Sequence, residues 1–264
     1  MILGIIGVGK MGSAIARGVL ENSAGNIACF DKNPGAKNNL NGAGTEWAES
    51  AAQVVEKSDA VLLAVKPQDM RQLLGEIAGA AEKRRPLFLS IAAGMPLSFF
   101  EESLGAGAKI VRIMPNLPAT VGKGASCYCP NANCSGKDED VAKKLLGAIG
   151  KSWKVGESQM DVVTAVSGCG PAYFALLAAE MAKAGGKLGL DEKLAGELAL
   201  QTLVGTGTLL EKEGISAEEL VKKVASPGGT TEAALKEFGK SGFSQAVETA
   251  LAAARDRGKE LAKA

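Results

Sequence analysis

Three glycines near the amino terminus have the spacing of a phosphate-binding turn. Gly7, Gly9 and Gly12 follow the apolar run of residues 2–6 and precede a helical pattern. In a strand, turn and helix with this G-x-G-x-x-G spacing, the first glycine makes the turn, the second lets a pyrophosphate approach the backbone, and the third lets the helix pack on the strand. The unpaired amides of the helix start would face the phosphates. The pattern favours a dinucleotide site.

An acidic side chain follows at the distance that such a site requires. Asp31 ends a second apolar run at residues 27–30. It stands about twenty residues after the glycines, where a carboxylate meets the adenosine ribose of a dinucleotide. The context of the glycine spacing therefore strengthens the prediction.

Two further glycine-containing segments lie in the second half of the chain. Residues 167–173 (SGCGPAY) are typical of a helix start or a kink between two helices, and a role in a site is the alternative. Residues 226–231 (SPGGTT) place two glycines before threonines at a predicted helix start. The glycines cost backbone entropy, but they leave amides and hydroxyls exposed beside the positive end of a helix dipole. This segment is a candidate small-anion site with a hydroxyl donor, and simple N-capping is the alternative.

The composition restricts the chemistry. The 264 residues include no histidine, so a proton donor must be Lys, Tyr, Asp, Glu, Cys, a hydroxyl or the substrate itself. The net charge of +1, with Lys and Glu evenly mixed, predicts no nucleic-acid partner and no polybasic membrane patch. No signal peptide and no apolar stretch long enough to span a bilayer are expected.

The cysteines indicate a reducing compartment. The chain has five, an odd number without C-x-x-C spacing, which predicts free thiols and a cytoplasmic protein. Cys127, Cys129 and Cys134 are close in sequence, but no histidine and no fourth nearby ligand accompany them. We therefore expect no metal site.

Strand-length apolar runs alternate with helical patterns through the first part of the chain. This alternation predicts a parallel sheet with right-handed crossovers, whose ligands bind at the carboxyl ends of the strands. Gly9, Asp31, Lys66, Ala93 and Asn116 would lie at that edge. The predicted strands are residues 2–6, 27–30, 44–47, 60–65, 87–93, 109–114 and 153–155.

The second part of the chain is predicted to be helical. The helices are expected at residues 173–184, 192–213, 217–224, 231–238 and 243–262, after a charged amphipathic helix at 135–149. Because these helices are rich in Ala and Gly, their core is thin, and burial against a second subunit is expected. The predicted fold is α/β. A Rossmann-type doubly wound parallel sheet occupies residues 1–158 and an all-α domain occupies residues 159–264.

Six segments resemble, in order, the successive motifs of pyrroline-5-carboxylate reductase. The resemblance covers essentially the whole chain; the last two motifs are specific to the family, whereas the first is not. It implies an oxidoreductase that reduces the cyclic imine 1-pyrroline-5-carboxylate to L-proline with NADPH or NADH, the final step of proline biosynthesis. The segments are residues 7–12 (GVGKMG), 64–68 (AVKPQ), 90–94 (SIAAG), 112–119 (RIMPNLPA), 167–173 (SGCGPAY) and 226–231 (SPGGTT).

The resemblance also implies site residues and an assembly. The helical half would intertwine with a second subunit, in a homodimer or in a ring of dimers such as a decamer. The substrate would be held, from the partner subunit, by Ser226, Gly228, Gly229, Thr230 and Thr231, with the Thr231 hydroxyl at the imine nitrogen as the catalytic group. The cofactor would be held by Gly7, Val8, Gly9, Lys10, Met11, Gly12, Ala64, Val65, Lys66, Pro67, Ala92 and Ala93. Asp31, Lys32, Asn33 and Asn116 join this set from their places at the sheet edge.

One position departs from the family pattern. Where many members carry Ser, Arg or Thr after the second strand, this chain has Asp31. A carboxylate there favours NADH because it repels the 2′-phosphate of NADPH, although Lys32, Asn33 and Lys37 could still receive that phosphate. The family more often prefers NADPH, so the sequence leaves the choice open.

Two other functions agree less well with the sequence. A β-hydroxyacid dehydrogenase has a similar layout but carries G-x-G-x-x-x-K-x-x-N, and here Phe174 and Leu177 occupy the Lys and Asn positions. A non-catalytic dinucleotide sensor would not need the segment at 226–231. Reduction of a cyclic imine also fits the missing histidine, because an iminium arrives protonated and accepts hydride without a strong enzymatic acid.

Overall fold

The computed structural model describes residues 1–22, 26–40 and 44–261. Within these residues, eight strands form one sheet in the order β3-β2-β1-β4-β5-β6-β7-β8. All neighbouring strands pair in parallel except β6 and β7, which are antiparallel. The strands are Ile2–Ile6 (β1), Asn26–Phe30 (β2), Thr45–Trp47 (β3), Ala60–Leu63 (β4), Leu87–Ser90 (β5), Lys109–Met114 (β6), Gly124–Pro130 (β7) and Gly150–Lys154 (β8).

Helices follow most of the strands and make up the rest of the chain. The α-helices are Lys10–Asn22 (α1), Ala51–Lys57 (α2), Pro67–Arg84 (α3), Leu97–Leu104 (α4), Gly136–Gly147 (α5), Met160–Val163 (α6), Gly170–Lys187 (α7), Glu192–Glu213 (α8), Ala217–Val224 (α9), Thr230–Lys240 (α10) and Phe243–Leu261 (α11). The predicted class, a Rossmann-type sheet followed by a helical region, is confirmed.

The core of the sheet explains the continuous apolar runs. Side chains alternate between the two faces of a strand, so a strand covered by helices on both sides is apolar throughout. Ile5 and Leu62 are buried in the cluster on one face of the sheet, and Ile6, Val61 and Leu63 in the cluster on the other. The central strands are thus held rigidly, which fixes the loops at their carboxyl ends.

Four strands differ from the prediction by more than one residue, among them β8, which covers Gly150–Lys154 and not residues 153–155. β4 ends at Leu63 and β5 at Ser90, because the apolar residues that follow already belong to the loops. β7 was missed, and the expectation of a wholly parallel sheet is wrong at its antiparallel pairing with β6. Its sequence, GASCYCP, has small residues and none of the β-branched side chains that indicate a strand.

Two compact units are distinguished in the chain. One comprises Met1–Cys169 with the segment from Ala254 onward, and the other comprises Gly170–Ala253. The predicted functional division at residue 158 stays a prediction. In the second unit, α8 and α9 match the predicted bounds, since Asp191 and Ser216 cap them with their side chains.

The second unit has little core of its own. Among its large apolar side chains, Phe174 is 60% exposed, Leu198 52% and Phe238 47%. The buried hydrophobic residues there are Ala195 and Ala199. Small buried side chains contribute little hydrophobic stabilisation, so a second surface is needed to cover these helices.

The sequence predicts no apolar stretch long enough to span a bilayer, but by length and composition one helical stretch is long and apolar enough. The helical residues Glu157–Lys187 form a stretch of 31 residues with a mean hydropathy of 1.6 in its most apolar window, 11% of which is buried. The sequence favours a helix start or a kink at residues 167–173, and in the structure α7 begins at Gly170, directly after a π-helical turn at residues 164–168 that continues the helical backbone. One such stretch is weak evidence for a membrane, because core helices of other proteins pass the same test.

Candidate functional site

A cavity lies where the strand order changes direction. β1 is flanked by β2 on one side and β4 on the other, and open α/β sheets bind ligands at the carboxyl ends of the strands at such a point. The cavity has a volume of about 620 Å³. Many of the predicted cofactor residues line it: Gly7, Gly9, Asp31, Lys32 and residues 64–66.

The three glycines of the first turn have three different geometries. Gly7 has φ +96°, and a Cβ there would lie 2.6 Å from the Ala64 carbonyl oxygen. A Cβ on Gly12 would lie 2.0 Å from the carbonyl oxygen of Gly7. A Cβ on Gly9 would meet nothing within 4 Å. The turn and the helix packing therefore require Gly7 and Gly12, whereas Gly9 leaves open space beside the cavity.

These features fit a dinucleotide. The space at Gly9 admits a pyrophosphate, and α1 begins at Lys10, so the amides of its first turn, including those of Met11 and Gly12, have no partner within the helix. The assignment of residues 7–12 to the cofactor remains a prediction, but the backbone has the shape that it requires.

Asp31 has a second role that the sequence did not predict. Its Oδ2 accepts a hydrogen bond from the Val8 amide at 2.7 Å, and its Oδ1 accepts one from the Asn33 amide at 2.8 Å. The Asn39 side chain donates to the Val8 carbonyl oxygen at 2.7 Å. Val8 is therefore held on both sides, and its amide is engaged by the Asp31 carboxylate. Asp31 fixes the glycine turn as well as standing at the predicted ribose position.

The remaining predicted cofactor residues lie near the same edge but differ in exposure. Pro67 is the first residue of α3. Ala92 is buried and donates its amide to Ser90 Oγ at 3.3 Å, while Ala93 is exposed. They follow β4 and β5, as predicted, and their contact with a cofactor stays a prediction.

Asn116 joins three segments through its side chain. The residue is 8% exposed; its Nδ2 donates to the Ser167 carbonyl oxygen at 3.0 Å, and its Oδ1 accepts from the Ala125 amide at 2.8 Å. The amide thereby ties the end of β6 to the start of β7 and to the π-helical turn. These bonds describe a positioning residue, and the predicted contact with the cofactor stays a prediction.

An ion-pair network around the buried Arg112 was also not predicted from the sequence. Arg112 on β6 is 7% exposed and lies 3.4 Å from Glu157 Oε1 and 3.8 Å from Asp161 Oδ1. Glu157 also accepts the Leu97 amide at 2.6 Å. The network links β6 with the starts of α4 and α6, and no sequence spacing indicates partners 45 residues apart.

Four of the five cysteines are unsuited to act as a base or a nucleophile. All five are free, and burial raises the pKa of Cys29 to about 12. Burial likewise raises the pKa of Cys127, Cys129 and Cys134. These four thiols stay protonated at neutral pH, and so they are not nucleophilic thiolates. Within residues 1–22, 26–40 and 44–261, no group of three or more His, Cys, Asp or Glu could hold a metal ion.

The segment at residues 226–231 lies in the second unit and ends at a helix start. Gly228 has φ +72°, and Gly229 is the N-cap of α10 without a side-chain capping bond. The Gly228 amide donates to Glu232 Oε2 at 2.6 Å, a contact that the sequence did not predict. Thr231 is half-buried and Thr230 is exposed. The Gly229 amide donates to the Ser226 carbonyl oxygen at 2.9 Å, so two of the predicted donor amides are engaged within the chain, and the anion site stays a prediction.

Comparison with known proteins identifies the family. Residues 157–261 match the family described as pyrroline-5-carboxylate reductase dimerisation, and residues 2–94 match the one described as NADP oxidoreductase coenzyme F420-dependent. A pyrroline-5-carboxylate reductase of Pseudomonas aeruginosa is 41% identical over 99% of this chain and 97% of its own length. The chain belongs to the pyrroline-5-carboxylate reductase family. The resemblance drawn from the six motifs is confirmed.

Solved structures of pyrroline-5-carboxylate reductases have the same architecture. The enzyme from Coxiella burnetii has a TM-score of 0.94 at 30% identity, covering 99% of this chain and 98% of its own. The one from Plasmodium falciparum, with NADP bound, has a TM-score of 0.85 at 30% identity over the same shares. This full-length similarity to pyrroline-5-carboxylate reductases fits the predicted function better than a β-hydroxyacid dehydrogenase or a dinucleotide sensor.

Proposed function

We propose that the protein reduces 1-pyrroline-5-carboxylate to L-proline with NAD(P)H in proline biosynthesis. The observation that carries the proposal is the similarity of the whole chain to the reductase of Pseudomonas aeruginosa, together with a glycine turn shaped for a pyrophosphate. The first part of the chain, residues 1–158, binds the cofactor. The helical part, residues 159–264, binds the substrate and a second subunit.

The chain's own residues bind and orient the reactants. When bound, NAD(P)H supplies the hydride. The amide of Thr230 holds the substrate carboxylate at the start of α10, where the helix dipole favours a negative charge, and the amide of Gly229 joins it by leaving the Ser226 carbonyl oxygen, to which it donates at 2.9 Å. The Thr231 hydroxyl stands at the ring nitrogen, where it donates a hydrogen bond to the lone pair that forms on nitrogen as the hydride adds. The ring carbon takes the hydride, the electron pair of the C=N π bond passes to nitrogen, and nitrogen keeps the proton with which it arrived.

A spectrophotometric assay tests the activity. Consumption of NADH or NADPH, followed by the absorbance of the reduced nicotinamide, is expected to require the imine and to yield proline. The two cofactors are measured separately in the same buffer. Nucleotide binding without any imine-dependent consumption would contradict the proposal and would favour the sensor.

The protein is a homo-oligomer, and we propose that it is built from dimers, as a homodimer or a decamer. The exposed apolar side chains of α7, α8 and α10 lie within the matched dimerisation region and give a second copy a surface to cover. The apolar helical stretch at residues 157–187 falls in the same region. A second subunit that covers this stretch would account for its apolar side chains without a membrane. The free thiols support a cytoplasmic location, and the net charge of +1 supports the absence of a nucleic-acid partner.

We expect the mass in solution to be at least twice that of the 26.9 kDa chain, even at submicromolar concentration. Obligate subunits bury interfaces that resemble a domain core cut in half, so the separated chain loses most of its helical stability. Light scattering combined with a dilution series measures this. A folded monomer at these concentrations would rule out the obligate dimer.

Asp31→Ser is expected to shift the preference toward NADPH. Loss of a carboxylate beside the 2′-phosphate removes a like-charge contact of about 1 kcal/mol in a partly exposed site, or about fivefold in the ratio of kcat/KM values. Because Asp31 also accepts the Val8 amide, Asp31→Asn serves as a second variant that removes the charge but keeps an acceptor. An unchanged ratio in both variants would place Asp31 away from the ribose.

A further inference from the structure

Three side chains could receive a 2′-phosphate, and the two cations among them already have partners within the chain. Lys32 Nζ lies 2.7 Å from Asp69 Oδ1. Asn33 accepts the amide of Gly35 at 3.0 Å with its Oδ1, which is not the Nδ2 donor that a phosphate would use. The Lys37 ammonium stands 5.6 Å from the ring centre of Trp47, within range of a cation–π contact. A 2′-phosphate beside Asp31 must therefore compete with Asp69 for Lys32 and with Trp47 for Lys37.

The Lys32 contact is the one that involves the cofactor cavity directly. Asp69 lies in the first turn of α3 and lines the same cavity as Gly9 and Asp31. The pair joins the loop after β2 to the start of α3. The side chain of Asp69 is 33% exposed and that of Lys32 is 76% exposed, so the acid is the more fixed of the two.

The balance of charge in the cavity disfavours the 2′-phosphate of NADPH. Asp31, Asp69 and Glu76 line it, against the cations Lys32 and Lys66. The hydrogen bond and the charge of Asp69 raise the pKa of Lys32, with smaller contributions from Asp31 and Glu76. Lys32 is thus a cation that already pairs with the Asp69 carboxylate, the group that a phosphate would have to replace. The ribose hydroxyls of NADH carry no charge and need no such cation.

We propose that Asp69 is a specificity-determining residue, which lowers the affinity for NADPH relative to NADH by competing with the 2′-phosphate for Lys32. The inference rests on the proposed function only in that both use the same cavity. NADPH must draw Lys32 away from Asp69 and leave that carboxylate unpaired, whereas NADH binds with the ion pair intact.

Calorimetric titration of the oligomeric protein with NADH and with NADPH, in the absence of imine, tests the proposal. Asp69→Asn is expected to strengthen NADPH binding about fivefold and to change NADH binding by less than about twofold, as the loss of one exposed competing charge predicts. Glu82→Gln is the matched control, since Glu82 is an exposed carboxylate on the same helix that does not line this cavity. It is expected to leave both affinities unchanged.

A second substitution identifies Lys32 as the group for which the two anions compete. Lys32→Met combined with Asp69→Asn is expected to abolish the gain in NADPH affinity. An unchanged NADPH affinity in Asp69→Asn would overturn the proposal, and so would a gain that persists without Lys32, because a general field effect would then explain it. Loss of imine reduction with these affinities as expected would contradict the proposed function and leave the role of Asp69 standing.

Discussion

Gly9→Ala and Gly12→Ala are both expected to impair nucleotide binding, but for different reasons. In Gly12→Ala the new methyl would lie 2.0 Å from the Gly7 carbonyl oxygen and 3.3 Å from the Ala64 Cβ, so α1 must move away from β1. Overpacking of this kind costs about 1–3 kcal/mol, which lowers the melting temperature by roughly 5 °C in a unit of this size. Nucleotide binding is lost with the geometry of the turn.

Gly9→Ala keeps the fold but removes the space for the pyrophosphate. The new methyl meets nothing within 4 Å in the protein, so the melting temperature is expected to stay within about 2 °C of the parent. The methyl instead occupies the side from which the pyrophosphate approaches the backbone, and the affinity for NAD(P)H is expected to fall at least about tenfold.

Melting curves and nucleotide titrations on both variants separate the two effects. Gly75→Ala is the matched control, because Gly75 is exposed on α3, a Cβ there meets nothing within 4 Å, and it lies outside the cavity lining. Alanine in a helix interior is expected to stabilise this variant slightly. Full NADPH and NADH affinity in Gly9→Ala would show that the cofactor does not approach the turn at this residue.

The elements of the sheet were predictable because their residues repeat a simple rule. The predicted strands at residues 2–6 and 109–114 correspond to β1 and β6 residue for residue, although Lys109 and Arg112 interrupt the apolar pattern of the second. β7 broke the rule, since its pairing with β6 depends on the turn that brings them together rather than on its own composition. Ala64 and Val65 continue the apolar run of β4, but the pairing of β4 with β1 ends at Leu63. The end of this strand therefore depends on pairing and cannot be read from the composition.

The site was predictable only to the level of the backbone turn. The spacing of Gly7, Gly9 and Gly12 is local, and each has the geometry that the spacing requires. The side-chain contacts are not local: Asp31 accepts from Val8 23 residues away, and Lys32 pairs with Asp69 37 residues away. The sequence identifies such residue types, but their partners depend on the three-dimensional fold.

The structure also bears on the alternative role of Thr231, which is simple N-capping of α10. A helix cap at this position would make Thr231→Ala a change in stability alone, at a cost of about 1 kcal/mol. In the structure, however, Gly229 is the N-cap of α10, and no side-chain capping bond is made there. The Thr231 hydroxyl is therefore not the N-cap group, and we expect Thr231→Ala to melt within about 2 °C of the parent.

Thr231→Ala is expected to lower kcat/KM by about ten- to a hundredfold, or about 1–3 kcal/mol, while NAD(P)H binding stays at the parent level. Reduction turns the planar iminium nitrogen into an amine with a lone pair, so a hydroxyl beside it gains most as the reaction proceeds. The loss should then appear in kcat more than in KM. Steady-state kinetics with varied imine, together with a melting curve, measure both quantities.

Two further variants decide whether the hydroxyl itself is the group that acts. Thr231→Ser keeps the hydroxyl and loses only the methyl, so it is expected to restore most of kcat. Thr249→Ala is the matched control, because Thr249 is an exposed threonine on α11, away from the glycine segment in sequence, and its loss should leave the kinetics unchanged. Full activity in Thr231→Ala would remove Thr231 from the reaction. An inactive Thr231→Ser with a normal melting curve would assign its effect to packing by the methyl group instead of to the hydrogen bond.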